Sequence, residues 1–230
     1  MRAWLEIARY FRVVRPVPRL TRLTFSVLTA MGAVHLLLSP RSAVEALLPV
    51  LVLQAFTVST GFLGDARRGH FDGLFTRGLG RVQVGVVYWM SCAAPGVICW
   101  LLLAGAGVLL HGDMALLRTG TIVAMLCVSV VPWALTVPLP RFAGAIGWLL
   151  LAVIVAPLWP ESMTAVRQAG EGVSGPIAAA RLLIMPIGLV GHDASSVWPA
   201  VAPALAFTLL VMVLALLWIR YVDLPLESGQ

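Results

Sequence analysis

Six long apolar runs, separated by arginine-bearing connections, constrain this chain more than any other feature. They cover residues 20–39, 44–63, 82–110, 119–138, 142–159 and 201–219. The hydrocarbon core of a bilayer is about 30 Å thick, which takes about 20 helical residues to cross. In lipid each backbone N–H and C=O must find its partner inside the segment, and these runs lack the two-residue alternation of a membrane barrel. They therefore read as transmembrane helices, and the third, longer than a crossing needs, should tilt or begin among the headgroups. Composition agrees. With 60% of residues hydrophobic and 11% charged, there is too little polar side chain to clothe a soluble domain of 230 residues.

All sixteen basic side chains are arginine, and no lysine occurs. A P-loop needs a lysine on the phosphates and Schiff-base chemistry needs a lysine amine, so both are excluded. The net charge of +6 does not form a patch for nucleic acid. Instead Arg2, Arg9, Arg12, Arg15, Arg19, Arg22, Arg67, Arg68, Arg77, Arg81, Arg141 and Arg220 fall on one side of the six-span arrangement, and Arg41, Arg118, Arg167 and Arg181 on the other. The positive-inside rule places both termini in the cytoplasm. Residues 1–19 carry Trp4, Ile7, Phe11 and Val14 at helical spacing and read as an amphipathic helix on the membrane surface, ended by Pro16 and Pro18. The first run exceeds a signal-peptide core and no small-residue cleavage site follows, so it is read as a retained span. Cys92, Cys99 and Cys127 lie inside apolar runs and read as small buried residues.

Two connections are long. The external one, 160–200, contains an apolar stretch over 176–190 interrupted by Pro186 and Gly188. It is too short to cross and reads as a re-entrant or interfacial hairpin. The cytoplasmic one, 64–81, mixes charges of both signs with Phe71, Leu74 and Phe75, which share a face if its middle is helical. That face either lies on the membrane or docks into another protein.

The order of these features resembles the permease subunits of ABC exporters of the ABC-2 (type V) class. Those have a surface helix, six spans, a coupling helix between the second and third, and a re-entrant hairpin between the fifth and sixth. Asp65, Gly69, Leu74 and Arg81 match the family's pattern in the coupling loop, with Gly78-Leu79-Gly80 where members carry a proline. The resemblance implies an all-α, single-domain permease over residues 1–230 in a bacterial inner membrane, moving a hydrophobic or amphipathic substrate such as a lipid or drug-like compound. It implies a second permease chain and two ABC ATPase subunits as partners. ATP and magnesium would sit on the ATPase, with no cofactor in this chain. Residues 69–76 would form the coupling helix, with Phe71, Leu74 and Phe75 in a groove of the ATPase. Arg67, Arg68, His70, Asp72, Arg77 and Arg81 would surround them.

Polar residues within spans are costly in lipid and mark cavities or helix contacts. Gln54, Thr57 and Thr60 share one face of the second span, and in the resembled family this span lines the substrate path. Ordinary packing, with hydroxyls bonded to their own backbone, is the competing reading for the threonines. His35 reads as satisfied by a neighbour near the outer end of its span. His70, His111 and His192 lie on loops without metal-ligand spacing. Gly172-Val173-Ser174-Gly175 with His192 matches the short signature of intramembrane serine proteases. That chemistry wants the serine at a helix start and the histidine on a later span, whereas both fall in one external connection. An intramembrane enzyme using Ser174 and His192, and a permease of the cytochrome-maturation pathway, are the alternatives.

Overall fold

Long uncharged runs leave the backbone no partner but itself, and the apolar segments accordingly coil into helices. In the computed structural model, residues 4–7, 9–10, 17–38, 43–59, 62, 65, 71–75, 78–138, 190–191 and 194–221 are described. Helix α1 spans Arg19–Leu38, α2 Ala43–Ser59, the short α3 Asp72–Phe75, α4 Arg81–His111, α5 Thr119–Thr136 and α6 Ala194–Tyr221, with a 3-10 turn at Ala115–Leu117 before α5. Residues 4–7 and 9–10 are helical as well, and there is no strand among the described residues.

Four helices are long and apolar enough to cross a membrane: α1, α4, α5 and, over Ala204–Tyr221, α6. At 17 residues, α2 is about 26 Å long. Helix α4, with 31 residues, reaches about 46 Å, so it must tilt or extend beyond a hydrocarbon layer of about 30 Å. The expected fifth span at 142–159 and the hairpin at 176–189 lie outside the described residues.

The helix ends follow from local chemistry. Pro18 precedes α1, where its missing N–H costs nothing, and its carbonyl accepts from the Arg22 amide at 3.2 Å. Gln83 reaches back so that its Oε1 accepts from the Gly80 amide at the start of α4. Gly112 ends α4 in the left-handed region, φ 65°, where its amide donates to the Val108 carbonyl and the next amide, of Asp113, to the Gly107 carbonyl. His111, expected on a loop, is the last residue of α4.

Burial ranks the helices. In α5, 78% of the apolar window is buried, against 17% in α1 and 28% in α6. Helix α5 is thus the centre, with α2 and α6 against it, α4 against α2, and α1 on α2 and α4. Apolar clusters occupy the two ends. One joins Ile7, Val17, Phe62, Phe71, Leu74, Tyr88, Trp133 and Ile219. The other joins Leu36, Leu47, Leu103, Leu116 and Val190. The first end holds Arg19, Arg22, Arg81 and Arg220. Arg118 lies at the second.

Candidate functional site

The turn between α2 and α4 is built by a few local bonds. The Phe71 carbonyl accepts from the amides of Leu74 and Phe75 at 2.9 and 3.0 Å, and the Phe75 carbonyl accepts from Gly78 at 2.9 Å. Gly78 has φ 73°, a conformation an L side chain resists, so glycine is what lets the chain leave α3 there. Phe71 and Leu74 lie three apart on the same face and are each 1% exposed. Phe71 packs against Phe62 and Tyr88, with ring centroids 5.3 and 5.6 Å away, and Phe62 meets Trp133 of α5 at 6.3 Å. Tyr88, on α4, donates from its hydroxyl to Asp65 Oδ2 at 2.8 Å. Ile7 and Tyr10 of the N-terminal segment join the same cluster. Burial, and then the charges of Asp72 and Asp65, raise the Tyr10 phenol pKa above the usual 10.0.

This geometry revises the role foreseen for two residues. Phe71 and Leu74 were expected to enter a groove on a separate protein, but the chain's own bundle already covers them. Burying two such side chains is worth about 1.5–3 kcal/mol each, ample to hold a four-residue turn in place. Asp72 is exposed and Phe75 half-buried, so these two form the outward part of the turn. Arg81 is half-buried in the first turn of α4. Arg67, Arg68, His70 and Arg77 lie outside the described residues. Sequence spacing found the apolar face of the turn. It did not reveal Tyr88 and Asp65, which are 23 positions apart and meet only through the fold.

The second candidate group is buried at mid-bundle. Gln54 is fully buried, and its Nε2 donates to the Ala93 carbonyl of α4 and to Ser129 Oγ of α5, both at 3.2 Å. Trp89 Nε1 donates to the Ser129 carbonyl at 2.7 Å. One amide therefore ties three helices. Its Oε1 is buried without a hydrogen-bond partner among the described residues and lies over Gly96, where a Cβ would overlap it. Thr57 donates to the Leu53 carbonyl of its own helix at 2.7 Å, the packing role weighed for it above. Thr60 lies outside the described residues, as do Ser174 and His192.

At the opposite end, His35 Nε2 and Glu45 Oε2 are 3.4 Å apart across the α1–α2 connection, so the lone histidine has its neighbour. His111 Nε2 bonds the Leu36 carbonyl at 2.7 Å. Arg118 donates to the Gly191 carbonyl at 2.7 Å, and the Gly191 amide donates to Thr121 Oγ1 at 2.9 Å. These bonds tie the end of the long connection to the start of α5. Cys92, Cys99 and Cys127 are free and buried.

Comparisons with protein-family models, with curated proteins and with solved structures each found no match to this chain.

Proposed function

We propose that this chain is the membrane-embedded subunit of an ATP-binding-cassette exporter, with six spans and a re-entrant hairpin before the last. In this reading it lies in a bacterial inner membrane with both termini cytoplasmic, beside a second permease chain. Two ATPase subunits supply the nucleotide site that a lysine-free chain lacks. The cargo is hydrophobic or amphipathic.

The observation that carries the reading is the docked turn α3 at the arginine-bearing end. A loop that merely connected two spans would bend under load. Here Phe71 and Leu74 sit among Phe62, Tyr88 and Trp133, side chains that lead directly into α4 and α5. A push on Asp72 and Phe75 would reach the feet of those helices as rigid-body motion. In the revised division of labour, Phe71 and Leu74 anchor the turn to the bundle, and Asp72 and Phe75 meet the ATPase. Arg67, Arg68 and Arg77 keep their sequence-based role as its polar surround.

Co-purification tests this. Isolated from its host in mild detergent, the chain is expected to bring an ATPase with it. Joint replacement Asp72→Arg and Phe75→Ala should weaken that association by roughly tenfold, the scale of one interface anchor, with a smaller loss of melting temperature than Phe71→Ala causes. A chain that purifies alone, or an ATPase indifferent to both substitutions, would end the exporter reading.

A further inference from the structure

The apolar core is divided across its middle. The cluster at the arginine-bearing end reaches as far as Val58 in α2, Ala93 in α4 and Val131 in α5. The buried members of the opposite cluster begin at Ala55, Cys99 and Val128 of the same helices. Pro95 of α4 falls inside this dividing band, and Pro132 of α5 lies at its edge. A proline carries no N–H. One rung of each helix's own ladder, Pro95 to Ser91 and Pro132 to Val128, is therefore missing, and such gaps are where long helices bend.

Side chains bridge both gaps. Gln54 Nε2 donates to the Ala93 carbonyl, inside the Ser91–Pro95 turn, and to Ser129 Oγ, inside the Val128–Pro132 turn. Trp89 Nε1 donates to the Ser129 carbonyl in that second turn, and its ring lies 6.3 Å from that of Trp133. Yet the band is not fully satisfied. Gln54 Oε1 and Trp133 Nε1, an acceptor and a donor, are both buried without a hydrogen-bond partner among the described residues. Polar atoms left unpaired in a dry interior raise the energy of the arrangement that holds them. A neighbouring arrangement that pairs either atom therefore lies close in energy, and two ladder gaps give the helices the freedom to reach it.

We propose that this band is a hinge, about which the arginine-bearing half of the bundle, turn α3 included, rotates against the other half, and that Gln54 is its latch. Latched, the Gln54 amide holds Ala93 and Ser129 while its own oxygen and the Trp133 N–H go unpaired. On opening, the amide lets go of α4. Pro95 and Pro132 take up the bend, and each cluster moves as a packed body. The hinge belongs to this chain and needs no ATPase, so it can fail while the exporter reading stands, and the reverse.

The test is NMR relaxation dispersion at the tryptophan indole N–H groups of the full chain in lipid nanodiscs, which reads motion on the μs–ms scale of hinges. Trp89 and Trp133 border the band and should show exchange. Trp100, whose Nε1 donates to the Leu116 carbonyl at 2.8 Å within the opposite cluster, should not. Gln54→Leu fills similar space without the amide and should raise the minor population by about fivefold, the net weight of one hydrogen bond. Pro95→Ala returns an N–H to the Ser91 carbonyl and should abolish exchange at Trp89. A role in packing alone would lower the melting temperature of Gln54→Leu and leave the populations unchanged. That result would overturn the proposal, as would flat profiles at Trp89 and Trp133, exchange of equal size at Trp100, or undiminished exchange in Pro95→Ala. Should either variant fail to fold, the wild-type contrast of Trp89 and Trp133 with Trp100 decides alone.

Discussion

Gln54 is the side chain on which most of the mid-bundle depends, because its amide bonds two neighbouring helices while its oxygen presses on a third contact at Gly96. With no Cβ at position 96, α2 and α4 approach until the amide lies on backbone. Gly96→Ala should therefore destabilise the chain by about 1–3 kcal/mol, the usual penalty for overfilling a packed site, read as a lower melting temperature in detergent. Combining it with Gln54→Ala should cost less than the two separate losses together, since the obstruction goes with the amide. Tyr10 makes a different prediction. The fold raises its phenol pKa above 10.0, so the neutral form is preferred in the folded chain. Its stabilising contribution is complete below the unfolded value and is lost as pH rises through the raised folded value. Melting temperature should fall more steeply between about pH 9 and 11 in the wild type than in Tyr10→Phe, where that phenol is gone. Parallel curves would remove Tyr10 from the account.

Among the elements, α3 shows how a four-residue helix persists. Alone it would be far below the length at which helices survive in water. It lasts because two of its neighbours' aromatic rings cover Phe71, and because Tyr88 holds Asp65 beside it. Removing that hydroxyl with Tyr88→Phe leaves a carboxylate short of a donor. The local cost should be about 1.5–3 kcal/mol, the range for bonds to charged groups. Amide hydrogen exchange at Leu74 and Phe75 should quicken accordingly, while exchange at Val128 in the middle of α5 stays slow. Equal acceleration at both places would mean that the turn has no local stability of its own. Much of this element was legible beforehand, since Phe71, Leu74 and Phe75 announce a helical face. The body against which the face rests was not, because spacing encodes a side and says nothing of its occupant.

For the molecule as a whole, orientation is the most accessible property. The native cysteines are buried, so single introduced cysteines report cleanly. Asp72→Cys should react with a membrane-impermeant maleimide only after cells are opened. Met114→Cys, at an exposed position beyond the far end of α4, should react in intact cells. The reverse pattern would place the arginines outside and contradict the positive-inside argument. The ranking of helices by burial belongs to this scale too. The most apolar windows are those of α4 and α6, yet α5 is the enclosed helix and α1 is peripheral.

From composition and spacing alone came the helical class, the positions of α1, α4, α5 and α6, the two ends and the arginine bias between them. Those properties are local, since a run of apolar residues in lipid has only its own backbone to bond and each arginine stays near its own helix end. Tertiary structure alone decided that Phe71 and Leu74 turn inward, that Gln54 knots three helices, and that His35 meets Glu45. Each of these joins residues from different helices, and helix packing is set by which small and large side chains happen to face one another. Hydropathy averages over that detail.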